Sequence, residues 1–311
     1  MLTCRVGQAQ PLINVGCMQS GKMEKEKVVV VMGATGAGKS RLSVDLATCF
    51  PAEIINSDKI QAYEGLDIVT NKISKEEQRG VPHHILGTQN PDTDFTALDF
   101  RDMSLWAVDA ITGRRRLPII VGGSNSYLEA LIDDDDDYAF RSRYEFCCLW
   151  VDVAMPVLRR HVADRVEQML GNGMVEEVRP FFSPHGDYSN GVRRAIGVPE
   201  FHRYFRREGL VDEQTRLSLL QRSVSEIKAN TCQLAVKQLA KIRRLRNVKR
   251  WHIHRLDATP VFANPRHHPN HSWNHHVAHP AAIIVARFLY NSFSSHLRFT
   301  PPVMPPATCY T

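Results

Sequence analysis

Two hydrophobic patterns alternate along the first half of the chain. Apolar runs at 28–32, 117–121 and 146–153, the last interrupted only by Asp152 near its end, read as buried strands, and Ala-Glu-Ile-Ile-Asn at 52–56 reads as a short strand. Between them, 41–47 and 95–111 carry apolar residues at helical spacing. Leu42 and Leu46 lie four apart, and Phe100, Met103, Trp106, Val108 and Ile111 recur along the second segment. Strand and helix in alternation predict a mainly parallel sheet flanked by helices. Past residue 153 the pattern becomes helical: 157–170 and 175–182 read as amphipathic helices, 199–204 opens another, and 217–245 reads as one or two long helices. The stretch from Lys59 through Pro82-His83-His84 is polar and reads as irregular chain ending in a turn. The chain thus divides into an N-terminal extension (1–27), an α/β core (28–155), a smaller helical part (156–215), basic helices completing the core (216–256) and a Pro- and His-rich tail (257–311). At 311 residues it is long enough to bury such a core and carry a second, smaller domain.

The first apolar run leads into GATGAGKS at 33–40, which fits the phosphate loop G-x-x-x-x-G-K-[ST], and a helical segment follows at once. Strand, glycine loop and helix together turn a pattern match into a phosphate site. Gly33, Gly36 and Gly38 let backbone N–H groups converge on phosphate oxygens, and the helix N-terminus adds partial positive charge. Lys39 supplies a full cation, and the Ser40 hydroxyl can hold a Mg²⁺ that bridges phosphates. The expected fold class is therefore a P-loop NTPase-like α/β sheet, and the ligand is phosphorylated.

Composition narrows the setting. The apolar fraction of 43% and charged fraction of 23% are those of an ordinary globular protein, and no apolar run approaches the roughly eighteen residues that span a bilayer. Seven cysteines without regular spacing argue against a disulfide framework and for a reducing compartment, with Cys147 and Cys148 as buried thiols. The formal charge of +6 is concentrated late: Lys237, Lys241, Arg243, Arg244, Arg246, Lys249, Arg250 and Arg255 have no acidic residue among them. Such a stretch is either a solvated helix face or a surface for a polyanion. Five aspartates at 133–137 read as a solvated acidic loop. The histidines of the tail, His267, His268, His271, His275, His276 and His279, have proline among them and no cysteine partner, so no metal site is expected there. Residues 1–23 lack Asp and Glu, as in an organellar transit peptide or an unstructured extension.

Ligands of an open parallel sheet collect at the carboxyl ends of the strands. That brings together the phosphate loop, Ser57-Asp58 after the second strand, and Gly122-Gly123-Ser124-Asn125 after another. A carboxylate beside a phosphate site is disfavoured unless it binds a metal or takes a proton. Asp58 therefore either does chemistry or caps the following helix, since Asp is a good N-cap. Gly122-Gly123 either admits a ligand close to the backbone or makes a tight turn. Asp152, near the end of the 146–153 run, leaves a kinase-type metal carboxylate open.

Beyond the loop, INSDKIQ at 55–61, YEGLDIVTNK at 63–72, VPHH at 81–84, PIIVGGSNSY at 118–127, RAIG at 194–197 and CQLA at 232–235 stand in a particular order and spacing. In these blocks the chain resembles the isopentenyl (dimethylallyl) transferases over 28–288. GVRRAIGVPEF at 191–201 and NTCQLA at 230–235 resemble the plant adenylate branch, whose members begin cytokinin synthesis. The resemblance implies that the loop holds the diphosphate of dimethylallyl diphosphate and that the reaction alkylates N6 of an adenine. It implies Asp58 as the base that removes the amine proton. Lys39, Mg²⁺ on Ser40 and loop N–H groups would stabilise the departing pyrophosphate. Thr35 matches a donor-site position. Ser57, Asn71, Lys72, Gly123, Ser124, Arg193, Arg194 and Lys237 are the groups the resemblance offers to the acceptor nucleotide or to phosphates. A free ATP or ADP is the expected acceptor, AMP less favoured. Arg194 stands where the tRNA-modifying branch carries Gln, and the Cys-x-x-Cys…His zinc finger of many tRNA-type relatives is missing. The alternative is a tRNA dimethylallyltransferase acting on an anticodon-loop adenine, and a P-loop small-molecule kinase is more distant. The expectation is a monomer in the plastid, or else the cytoplasm, with neither membrane nor nucleic acid as partner.

Overall fold

The chain enters the fold at β1 (Glu26–Gly33), whose four valines at 28–31 are wholly buried, and passes through the phosphate loop into α1 (Lys39–Cys49). This computed structural model describes residues 25–133, 140–264 and 269–290. There follow β2 (Ala52–Asn56), the two-residue β3 (His83–His84), α2 (Ala97–Gly113), β4 (Leu117–Val121), α3 (Asn125–Ile132), the single turn α4 (Phe140–Arg143) and β5 (Tyr144–Asp152). A helical part continues with α5 (Met155–Gly171), α6 (Met174–Val178), α7 (His202–Phe205) and the 35-residue α8 (Glu213–Asn247). The chain then returns to the sheet as β6 (Ile253–Asp257) and ends in α9 (Thr259–Ala263), α10 (Pro269–Trp273) and α11 (His279–Tyr290). The six strands lie in the order β3-β2-β4-β1-β5-β6, all parallel, so the carboxyl ends of β1, β2 and β4 share one edge. Val30 stands opposite Ile120 on one side and Cys148 on the other, and all three are wholly buried.

The expected strands at 52–56 and 117–121 coincide with β2 and β4, and the helix expected at 95–111 starts two residues later. A capping box sets that start: the Thr96 hydroxyl accepts from the Asp99 amide, and the Asp99 carboxylate accepts from the Thr96 amide at 2.8 Å. The 217–245 helix is one continuous element that begins earlier, because Asp212 accepts from the Thr215 amide at 2.9 Å and caps it. Two strands were hidden. Pro82-His83-His84, expected as a turn, contributes β3, its polar character reflecting an edge position beside β2. β6 lies at 253–257, where basic helices were expected to give way to tail; only Ile253 and Leu256 of its five residues are buried.

The described part of the tail packs against the core: α11 buries Ala281, Ala282, Val285 and Ala286 and contacts α1 and β5. Trp273 is 1% exposed. Asp133, the first of the acidic run, is no solvated loop residue, since it accepts from Arg141 and from the Trp251 indole. Asp134 to Asp137, His267, His268 and residues 1–24 of the extension lie outside the described residues. Cys147 and Cys148 are buried in β5, where loss of water pushes the Cys147 thiol up to about 12. No helix among the described residues is long and apolar enough to cross a membrane.

Candidate active site

Gly36 and Gly38 sit at φ +78° and +92°, the left-handed region that glycine adopts without strain. Gly33 is needed for a different reason: a Cβ there would lie 2.6 Å from the Val151 carbonyl oxygen of β5. The loop they shape ends at Lys39, the first residue of α1, whose Nζ donates to the Ala34 carbonyl at 2.9 Å. Protein surrounds Lys39 except where it opens on a cavity. Burial lowers its ammonium to about 8; Asp58 pulls the value up and Arg165 pushes it further down. The Thr35 hydroxyl accepts from Arg165 Nη2 at 2.9 Å, and the Thr35 amide donates to Gln238 Oε1 at 2.7 Å. Gln238 also donates to the Gly123 carbonyl at 3.2 Å, so one buried side chain of α8 ties the phosphate loop to the turn after β4.

Asp58 lies in the turn after β2, and its backbone is held from both sides. The Asn56 side chain accepts from the Asp58 amide at 3.1 Å and donates to the Asp58 carbonyl at 3.0 Å. The Ser57 amide donates to Val121 at 2.7 Å, and the Ser124 hydroxyl accepts from the Lys59 amide at 3.0 Å, which zips the β2 and β4 ends together. The two readings of Asp58 meet in one carboxylate. Oδ1 accepts from the Ile60 amide at 3.1 Å at the entry to a short 3-10 turn whose N-cap is Lys59, while the side chain lines the cavity shared with the phosphate loop.

That cavity, about 820 Å³, is large enough for two small substrates. Of the residues singled out from the sequence, Thr35, Gly36, Gly38, Lys39, Ser40, Asp58, Asn71 and Arg194 line it. Others lie outside the lining. Gly33 is packed beneath the loop, and Ser57, Gly123 and Ser124 build the junction of the β2 and β4 turns. Lys72 turns away to pair with Asp67 at 2.8 Å, Arg193 pairs with Asp92, and Lys237 is exposed on α8. Gly122 is the glycine of the pair that reaches the cavity. Asp152 accepts from Arg255 Nε at 2.6 Å and is not in the lining, so the carboxylate that kept a kinase open is committed to an ion pair.

Four lining or supporting residues escaped the sequence reading: Arg165, His161, Gln238 and Trp273. Arg165 lies three residues after Val162 and four before Met169, on the flank of the buried stripe of α5. Burial lowers its guanidinium from the usual value and Asp58 opposes the shift. Burial also holds His161 below the ordinary imidazole range, with Arg165 adding to it. Trp273 reaches the loop from the C-terminal segment: a Cβ on Gly38 would stand 2.7 Å from its ring, and its indole N–H donates to Asp45 of α1 at 2.7 Å. Trp273→Ala is therefore expected to cost about 3–5 kcal/mol and to raise KM for the phosphorylated ligand of the loop. Urea unfolding checks the first part; a curve superimposable on that of the parent protein would place the ring outside the core.

Residues 61–139 and 135–245 match the family model described as IPP transferase. Adenylate isopentenyltransferase 3, chloroplastic, of Arabidopsis thaliana is 56% identical over 268 residues, 85% of this chain and 80% of that protein. Adenylate isopentenyltransferase 7, mitochondrial, of the same plant is 47% identical over 86% of this chain and 82% of its own length. The Humulus lupulus adenylate isopentenyltransferase is 45% identical over 83% and 89%. Among solved structures, a eukaryotic dimethylallyltransferase acting on tRNA superposes with a TM-score of 0.73 at 24% identity, covering 86% of this chain and 80% of that one. The tRNA isopentenylpyrophosphate transferase of Bacillus halodurans gives 0.67 at 24%, covering 86% and 100%, and both share the fold. Phosphate loop, clamped Asp58 and overall sequence point the same way, and the chain belongs to the isopentenyl transferase family, among its plant adenylate isopentenyltransferases.

Proposed function

We propose that this protein transfers the dimethylallyl group of dimethylallyl diphosphate to N6 of the adenine of a free nucleotide, ADP or ATP before AMP, the first step of cytokinin synthesis. The observation that carries the reading is Asp58 sharing one cavity with the phosphate loop, Lys39 and Arg165, in a chain more than half identical to an adenylate isopentenyltransferase. The C1–O bond of the donor breaks as the N6–C1 bond forms, the N6 proton passes to Asp58, and pyrophosphate leaves with the bonding electrons. The lone pair of the adenine amine is delocalised into the ring, so attack without proton removal would be slow. Lys39, Arg165 and the loop amides face the place where charge grows on the leaving diphosphate. Gln238 holds the loop, and Asn56 holds the Asp58 backbone, in register.

Mg²⁺ fits the cavity as a shared ligand. Among the described residues no group of three or more His, Cys, Asp and Glu is placed to hold a metal unaided, while the Ser40 hydroxyl and Asp58 both line the cavity. Such a sparse oxygen set suits an ion that takes its remaining ligands from phosphate and water. When bound, Mg²⁺ neutralises charge on the diphosphate.

Arg194 lines the cavity and supports a phosphorylated free acceptor. The fold shared with tRNA-modifying enzymes and the exposed cations Lys237, Lys241 and Arg243 favour tRNA as the second reading. A competition assay separates the two, offering labelled donor with ATP, ADP, AMP and an adenine-containing anticodon stem-loop. The expected result is prenylation of ATP and ADP at the higher kcat/KM; preference for the stem-loop reverses the assignment. The relatives named chloroplastic and mitochondrial support an organellar location, the plastid first, which a fluorescent fusion of the full chain checks.

A further inference from the structure

The basic stretch of α8 takes no part in the chemistry described above, yet it begins at the cavity. Ile227, Thr231 and Leu234 line the cavity wall, and Leu234, 36% exposed, stands at its rim. Lys237 and Lys241 follow in the same row of the helix, three and seven residues on. At about 1.5 Å per residue they lie about 4.5 and 10 Å beyond Leu234 along the axis. Both are exposed and outside the lining, and neither has an acidic partner among the described residues. Like charges four apart destabilise a helix, so an unpaired pair at this spacing points to a gain made elsewhere.

The later cations of the stretch are treated differently. Arg244 donates to Glu129, and Lys249 lies 3.7 Å from Glu129 and 3.8 Å from Asp133. The row is thus neutralised at its far end and left positive at the end that meets the cavity. Arg194, exposed and in the lining, continues the positive charge at the mouth, and Lys39 and Arg165 carry it to the floor. The acid beside Arg194, Asp94, is already paired with Lys59 at 2.9 Å. An RNA backbone laid along the whole helix would need the far cations too, and these are taken. It would also gain from an exposed ring on which to stack a base, whereas Trp251 is 4% exposed.

We infer that Lys237 and Lys241 form an electrostatic entry ramp that draws the anionic substrates to the mouth of the cavity and raises their association rate. The pair acts before binding and touches neither bound substrate. At physiological ionic strength charge is felt over about 8 Å, so both ammonium groups reach an anion near the rim. Cations gathered at the mouth of a cleft raise the encounter rate of an anion in this way, and salt removes the effect. The inference rests on the free-nucleotide reading of the acceptor and adds how that nucleotide arrives.

The test is the association rate of N-methylanthraniloyl-ADP with the full chain, followed by stopped-flow fluorescence at about 0.1 M salt and again at about 1 M. The double variant Lys237→Gln/Lys241→Gln is expected to associate about 3-fold or more slowly at the lower salt and at the parental rate at the higher. Its dissociation rate and its kcat for prenyl transfer should match those of the parent. Lys237→Arg/Lys241→Arg keeps the charge and should keep the parental rate. Arg246→Gln/Arg250→Gln removes equal charge from the far end of the stretch and should stay within about twofold of the parent. An unchanged rate in the glutamine pair overturns the inference, and so does an equal loss in the far-end pair, which would assign the effect to net charge. A loss that persists at the higher salt, or that appears in dissociation or kcat, would place the lysines on the bound nucleotide and overturn it as well. These outcomes leave the free-nucleotide acceptor intact. A parent protein that binds an adenine-containing anticodon stem-loop through these lysines and no nucleotide overturns the acceptor reading and this inference together.

Discussion

Asp58→Asn is expected to lower kcat by about 10²–10⁴-fold while the protein stays folded and the donor still binds. The asparagine oxygen can still accept from the Ile60 amide, so that hydrogen bond survives, and the Asn56 clamp acts on backbone atoms that the substitution does not touch. What disappears is the acceptor of the N6 proton. Asp58→Ala removes that hydrogen bond as well and is expected to add about 1 kcal/mol of destabilisation. Comparing single-turnover rates and thermal melts of the two variants separates chemistry from the hydrogen bond to Ile60. An asparagine variant with the parental single-turnover rate would leave Asp58 only that bond. The substitution has a second effect through Lys39, because Asp58 is the group that raises the Lys39 ammonium. Without it, donor affinity should begin to fall at a lower pH than in the parent.

The separation of chemistry from hydrogen bonding at Asp58 also shows how far the sequence could be read. β2 and β4 coincide with their expected strands because all five residues of each are buried: Leu-Pro-Ile-Ile-Val is uninterrupted apolar chain, and in Ala-Glu-Ile-Ile-Asn the buried Glu53 is paired with Arg114 and His84. β6 escaped because it is a half-buried edge strand written Ile-His-Arg-Leu-Asp, and two apolar positions three apart fit a helix as well as a strand. Among cations, periodicity gives the face of a helix but not what lies opposite. It does not distinguish Arg165, which meets the phosphate loop, from the exposed Arg159 and Arg160 on the same helix, and it cannot show that Arg193 is taken by Asp92. Gln238 did leave a trace: it is a polar residue among the buried positions Ala235, Leu239 and Ile242, and a buried amide requires partners. Pro and His dominate the composition of the tail and say nothing of its packing, which rests on Trp273 and the small-residue face of α11.

Lys39→Met should abolish turnover and at the same time stabilise the protein in the absence of substrate. The ammonium is held to about 8 in the folded chain against 10.5 when unfolded, with burial the largest cause. The unfolded chain therefore binds this proton more tightly than the folded one. Stability contributed by the residue rises as pH increases from about 8 to 10.5, and below that window the group carries its full penalty. Because water in the cavity still reaches Lys39, the penalty is about 1–3 kcal/mol at neutral pH. The methionine side chain fills similar volume without charge and removes it, giving a higher Tm at pH 7 and a difference that shrinks toward pH 10. Catalysis moves the other way. Diphosphate binding would supply the opposite charge that the buried ammonium lacks, and bond breaking places more negative charge where Lys39 points, so the variant should lose donor affinity and leaving-group stabilisation together. Donor addition should raise Tm strongly in the parent and weakly in the variant. Melts at pH 7 and pH 10, with and without donor, give all four comparisons. A variant that is less stable than the parent at pH 7 and still turns over would show that Lys39 props up the loop and does not hold the diphosphate.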